Sequence, residues 1–210
     1  VLGRRSPSLV GPERALPGRA APLEVEPIHH VHGRPIVPPW PEGHELAVLG
    51  MGCFWGAERI LWGIEGVWTT FVGYAAGWTP NPTYREVCSG MTDHAEVACA
   101  VHDPGVVDYE RLLAAFWEQH DPTQPMGQGN DVGTQYRSIV LTTSDEQAAI
   151  ATASRERYQA ALDAGGYGTI VTTIEPLREV FLAETEHQQY LSKHPNGYCN
   201  HGFCQAAYAS

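Results

Sequence analysis

From Glu45 onward the chain alternates short apolar runs with turn-forming clusters, whereas residues 1–43 follow neither a helical nor a strand period. That first stretch is rich in Pro, Gly, Arg and His and reads as an extended or partly disordered arm. Within it His29, His30 and His32 read as solvated side chains rather than a metal tract. Residues 46–49 are apolar and are closed by Gly50 and Gly52, the pattern of a short buried strand. A helix follows over 57–62, stopped by Gly63, and the β-branched and aromatic stretch 67–74 predicts a second strand. Residues 75–91, full of Gly, Pro, Asn and Thr, read as a loop. Residues 95–101 alternate, with Ala95, Val97, Cys99 and Val101 on one face and Glu96 on the other.

Asp108 is placed to cap a helix over 109–120, and a polar, Gly-rich loop runs over 121–134. Residues 136–141 predict a fourth strand. Ser144 opens a long helix with Gln147 three positions on, the spacing of a capping box. A further strand over 170–174, a helix near 185–193 and an irregular Gly-rich tail complete the chain. The core order β-α-β-β-α-β predicts an α+β fold, a ferredoxin-like α/β sandwich (split βαβ) with long loops and an irregular C-terminal tail. The expected division is an arm over 1–43, a catalytic domain over 44–194 and a tail over 195–210.

The composition narrows the function classes. Lys and Arg total 13 against 24 Asp and Glu, and a net charge of −11 repels phosphate backbones, which excludes nonspecific nucleic-acid binding. No apolar run approaches the roughly 20 residues of a membrane helix. The Arg4-Arg5 pair imitates a twin-arginine signal, but residues 6–30 are broken by prolines and charges and lack an apolar core, so a cytoplasmic monomer is expected. Five cysteines, at 53, 88, 99, 199 and 204, are an odd number for a disulfide scaffold. In a reducing compartment they serve packing or redox chemistry.

Cys53 lies in Met51-Gly52-Cys53-Phe54-Trp55-Gly56, between a predicted strand and a helix start. Unpaired N–H groups there favour thiolate, so its pKa is expected below that of a free thiol. Cys199 and Cys204, in a Gly-bearing tail with His194 and His201, invite either a zinc site or a thiol relay. No second cysteine pair completes a zinc tetrahedron, which favours the relay. Cys88 and Cys99 read as structural.

Gly52-Cys53-Phe54-Trp55-Gly56 resembles the active-site motif of the A-type peptide-methionine (S)-S-oxide reductases. Collinear matches follow: Gly73-Tyr74, the segment 81–90 from Asn81 to Gly90, His94-Ala95-Glu96, 116–122, 128–138, His187-Gln188-Gln189-Tyr190-Leu191 and Gly197-Tyr198-Cys199. The resemblance implies a nucleophilic Cys53 that attacks sulfoxide sulfur, and Phe54 and Trp55 as a cage for the S-methyl group. It implies Glu96 as the acid that protonates the sulfoxide oxygen, Tyr84 and Tyr136 as further donors, and Asp131 as polar support. Cys199 would resolve the Cys53 sulfenic acid and Cys204 would carry the disulfide outward to thioredoxin or a similar thiol reductant. No cofactor or metal is implied, and the substrate would be oxidised proteins or free methionine sulfoxide. The family often has Asp-Thr-Gly before the residue matched by His94, where this chain has Met91-Thr92-Asp93.

Two other readings compete. A thiol peroxidase would use the same sulfenate and disulfide cycle but has no use for an aromatic methyl cage. A zinc-stabilised binding module using Cys199, Cys204 and histidines would hold near-stoichiometric metal.

Overall fold

Alternation in the central strands places one set of side chains under helices and the other under the N-terminal arm, and this division organises the molecule. The computed structural model describes residues 7–202 and 204–208, so Arg4 and Arg5 of the twin-arginine pair, and Phe203 of the tail, lie outside the described residues. In chain order the elements are β1 (Glu45–Met51), α1 (Phe54–Trp62), β2 (Val67–Ala75), α2 (Tyr84–Cys88), β3 (Ala95–His102), α3 (Tyr109–Gln119), β4 (Gly127–Gln128) and β5 (Asp131–Val132). A 3-10 turn over Thr134–Tyr136 leads to β6 (Ser138–Thr142), α4 (Asp145–Gly165), β7 (Thr173–Pro176), β8 (Val180–Leu182) and α5 (Tyr190–Lys193).

The result is a mixed α/β structure. Its main sheet runs β7-β6-β1-β3-β2-β8, with only β6 and β7 parallel, and β4 and β5 form a separate hairpin. Leu49 faces Ala98 and Glu96 faces Tyr74 across the central pairs. Leu49, Val72, Tyr74 and Val140 pack with Leu61, Leu112, Phe116, Trp117 and Tyr158 from the helices. Val48, Phe71, Val97, Cys99, Ile139 and Leu141 cover the opposite face, where Ile36, Val37 and Trp40 of the arm close over them.

Several expectations shift for local physical reasons. The first helix begins at Phe54 rather than 57, because the chain turns at Gly52 and the Ala57 N–H reaches back to the Cys53 carbonyl, making Cys53 the N-cap. The expected loop 75–91 contains α2, which Thr83 and Glu86 nucleate as a capping box. Ser144 accepts from the Gln147 N–H at 3.1 Å as expected. The Gln147 side chain, however, takes the N–H of Thr143 rather than Ser144, so only half a box forms. Asp108 caps α3 through the Arg111 N–H. The strand expected at 170–174 is displaced to Thr173–Pro176, since the Val171 N–H is drawn to the Pro122 carbonyl. The helix expected near 185–193 shrinks to Tyr190–Lys193, because Gln189 adopts φ 47° and donates its N–H to Glu58 instead of to a helical carbonyl.

His29 is not solvated: it is 1% exposed. Its Nδ1 accepts from the N–H groups of Val31 and His32, so Nε2 carries the proton and donates to Thr70 Oγ1 at 2.8 Å. Burial first, then the neighbouring His32, depresses its pKa to about 3, and it stays neutral. Among the described residues no helix is long and apolar enough to cross a membrane.

Candidate active site

β1 delivers the chain to Gly52, whose φ of 93° and closeness to Gln128 leave no room for a side chain, and the next residue is Cys53. The Cys53 thiol is buried at the start of α1, where the nearby N–H groups of Trp55 and Gly56 favour thiolate without forming a side-chain cap hydrogen bond. Its pKa is nevertheless raised, not lowered as the helix-start position predicts. Burial disfavours thiolate most, the Glu96 carboxyl adds to it, and the helix N–H groups oppose both without prevailing. The Glu96 contribution disappears when that carboxyl is protonated.

Glu96 sits on β3 opposite Tyr74, fully enclosed. Its Oε2 accepts the Phe54 N–H at 3.1 Å, while Oε1 is buried without a hydrogen-bond partner among the described residues. Burial, assisted by the charge of Asp131, lifts its pKa to about 8, so at neutral pH it is mainly a carboxylic acid. An enclosed acid with one oxygen unpaired is built to donate to something that enters from outside. Tyr84 and Tyr136 lie within the electrostatic reach of Glu96, and burial followed by that carboxyl pushes both phenols up, so they too remain proton donors.

Aromatic rings wall this donor set. Phe54 packs against Tyr74, Tyr84 and His187, with centroids 5.8, 6.5 and 5.4 Å away. Trp55 stacks on Tyr190 at 3.9 Å and donates its indole N–H to His187 Nδ1. Aromatic faces of this kind suit a thioether or S-methyl group.

Motif matching flagged His187-Gln188-Gln189-Tyr190 without assigning roles, and it missed the carboxylates that hold this wall. Glu184 accepts the Tyr74 hydroxyl at 2.8 Å and the Tyr84 N–H at 2.7 Å. Glu58, fully buried on α1, accepts the Thr70 hydroxyl and both the backbone and side-chain N–H groups of Gln189. A signal for Glu58 was present: it occupies the 54, 57, 58, 61 stripe, where an apolar residue is expected.

The tail lies docked over the same site. Asn200 donates to Asp131 Oδ2 at 2.9 Å and to the Gln128 carbonyl, and Tyr198 donates to Asp131 as well. Asp131 thus supports the tail, and its charge also reaches Cys53 and Glu96. Cys199 Sγ sits against Gly56, where a Cβ would meet it at 2.9 Å, and receives a hydrogen bond from Arg59. Cys204 is exposed and is held by its N–H at the Glu118 carbonyl on α3. All five cysteines are unpaired. Cys99 is buried in the sheet, whereas Cys88 is exposed at the end of α2 beside Tyr84. Among the described residues no group of three or more His, Cys, Asp or Glu is arranged to hold a metal ion.

A family model described as peptide methionine sulfoxide reductase matches residues 45–208. Peptide methionine sulfoxide reductase MsrA 1 of Synechocystis sp. is 55% identical over 96% of this chain and 90% of its own length. MsrA 1 of Caulobacter vibrioides is 58% identical over 90% and 88%. The solved structure of methionine sulfoxide reductase A of Corynebacterium diphtheriae superposes with a TM-score of 0.85 at 45% identity, covering 92% of this chain and 94% of that one. From the Gly52–Gly56 turn to the docked Cys199, the site falls within the matched span, and the chain belongs to the peptide methionine sulfoxide reductases.

Proposed function

We propose that the protein reduces the S epimer of methionine sulfoxide, free or in proteins, to methionine, and so repairs oxidised proteins. The observation that carries this reading is Glu96: a buried, protonated carboxyl with an unpartnered oxygen, hydrogen-bonded to the residue after Cys53. A sulfoxide oxygen leaves sulfur only when it is protonated, and this is the group able to supply the proton. Cys53 attacks the sulfoxide sulfur while Glu96, helped by Tyr84 and Tyr136, protonates the oxygen, and Phe54 and Trp55 hold the S-methyl group. The oxygen passes to Cys53, leaving methionine and a sulfenic acid, so the cycle balances without a bound cofactor. Cys199 then condenses with the sulfenic acid, and Cys204 passes the disulfide to thioredoxin or a similar reductant.

The aromatic wall favours a thioether substrate over peroxide, whose reduction needs no methyl cage. A cytoplasmic setting suits a chain whose thiols must stay reducible. The strand order β6-β1-β3-β2, with helices packed on one face, supports reading the core as a ferredoxin-like sandwich extended by β7 and β8. The arm over 1–43 and the tail over 195–210 are accessory to it.

The test follows the separated S and R epimers with dithiothreitol as reductant. Loss of the S epimer alone is expected; consumption of R at an equal rate, or of neither, overturns the proposal.

A further inference from the structure

The thiol that resolves the sulfenic acid needs a base as much as the nucleophile needs an acid, and one imidazole outside the motif matches is set up to act. His201 follows Cys199 by two positions, and its Nε2 lies 2.7 Å from the Met51 carbonyl oxygen. A carbonyl only accepts, so Nε2 carries the ring proton and Nδ1 presents a lone pair. Burial, reinforced by the Arg59 charge, lowers the His201 pKa, which keeps the ring neutral. Nδ1 is buried and has no hydrogen-bond partner among the described residues. A Cβ on Gly56 would collide with both this Nδ1 and the Cys199 Sγ, so the two atoms share one small space above the first turn of α1. Arg59, one turn along that helix, donates to the same sulfur at 3.1 Å.

We infer that His201 is the general base for disulfide formation, with Arg59 as the cation that holds the Cys199 thiolate. This rests on the assignment of Cys199 as the resolving cysteine. Nδ1 takes the thiol proton, and the Cys199 sulfur attacks the Cys53 sulfenic sulfur. The S–S bond forms as the S–O bond breaks, and the departing hydroxide takes up the proton and leaves as water. Cys199 is oxidised and Cys53 reduced by one electron-pair transfer between them, so no outside oxidant enters. An orphaned buried lone pair and a glycine whose missing side chain makes the space are accounted for together.

The groups facing His201 are the Cys199 thiol beside it, Arg59 on α1 and the neutral His120 at the end of α3. The experiment uses the full, reduced chain with limiting methionine sulfoxide and no added reductant. In one quenched series it times both the methionine burst and the Cys53–Cys199 disulfide, identified by peptide mapping. Relative to the burst, disulfide formation in His201→Ala should slow by about 10²-fold or more. Imidazole added to His201→Ala should restore much of the rate, with a dependence on the neutral form of the added base. Wild type should keep its disulfide rate down to a lower pH than the variant does. A His201→Ala disulfide as fast as wild type, or a slow one that imidazole leaves unchanged at every pH, overturns the base role. A wild-type enzyme that makes methionine but no Cys53–Cys199 disulfide would instead overturn the assignment of Cys199.

Discussion

Phe54 donates its backbone N–H to Glu96 Oε2 at 3.1 Å, across 42 positions of sequence. Since Phe54 follows Cys53, one hydrogen bond sets the spacing between nucleophile and acid. It also leaves Oε1, buried and without a hydrogen-bond partner among the described residues, as the oxygen free to carry the acidic proton.

Glu96→Gln keeps the shape and removes the proton. Single-turnover methionine formation at neutral pH should slow by about 10²–10⁴-fold. In wild type the same step should decline as pH rises through about 8, where Glu96 ionises. A quenched-flow pH series on both proteins checks this, and a Glu96→Gln enzyme as fast as wild type at pH 7 removes Glu96 from the chemistry.

The raised Glu96 pKa also makes a statement about stability. The folded state holds this proton more tightly than the unfolded chain does. The stabilisation is therefore complete below the ordinary carboxyl pKa of 4.5 and is lost as pH rises through about 8. Glu96→Gln escapes that loss. Its unfolding free energy should match wild type near pH 4 and exceed it at pH 8, by a difference on the order of a few kcal/mol. Calorimetry giving a constant offset across that range would contradict the buried acid.

Cys53→Ser should abolish S-epimer reduction even under excess dithiothreitol, because its hydroxyl is a far weaker nucleophile in the same enclosed position. Turnover retained by the mutant would move the reaction to another of the five cysteines.

Glu58→Leu strands three donors, those of the Thr70 hydroxyl and the two Gln189 N–H groups. Each unsatisfied buried donor costs roughly 1–3 kcal/mol, so denaturant titration should reveal a loss of several kcal/mol. Because Tyr190 next to Gln189 stacks on Trp55, KM for methionine sulfoxide should rise in whatever fraction remains folded. An unchanged unfolding midpoint would rule out Glu58 as an anchor.

Cys199→Ser should yield one equivalent of methionine and then stall with thioredoxin, while dithiothreitol sustains slower turnover by reducing the Cys53 sulfenic acid directly. Counting methionine per enzyme with each reductant separates the two cases. Normal thioredoxin-supported cycling would dismiss the relay.

The groups proposed for the site stand out in sequence because they lie in short, distinctive runs: Cys53 with Phe54 and Trp55, Glu96 after His94, and Asp131 in the Gly-rich loop. Alternation in β3 and the order of elements pointed to a mixed helix-and-strand structure, whereas the edge strand β8 was not legible. What stayed hidden depends on partners remote in sequence. The stripe position of Glu58 signals burial, but its partner Gln189, 131 positions away, is not legible until the chain is folded. His29 looks solvated until Thr70 receives its proton. The Cys53 thiol shows the same limit: its helix-start position is legible, but the burial that outweighs it is tertiary.

The arm meets the sheet at Ile36, Val37 and Trp40, where other sheets of this kind are left to water or to a second layer of helices. Trimming the chain at residue 44 would strip the His29 hydrogen bond from Thr70 and the Arg19 ion pair from Glu86, and would uncover Val48, Phe71, Val97, Ile139 and Leu141 as apolar surface. The failure of such a shortened chain would be colloidal as well as structural: a sticky, self-associating protein.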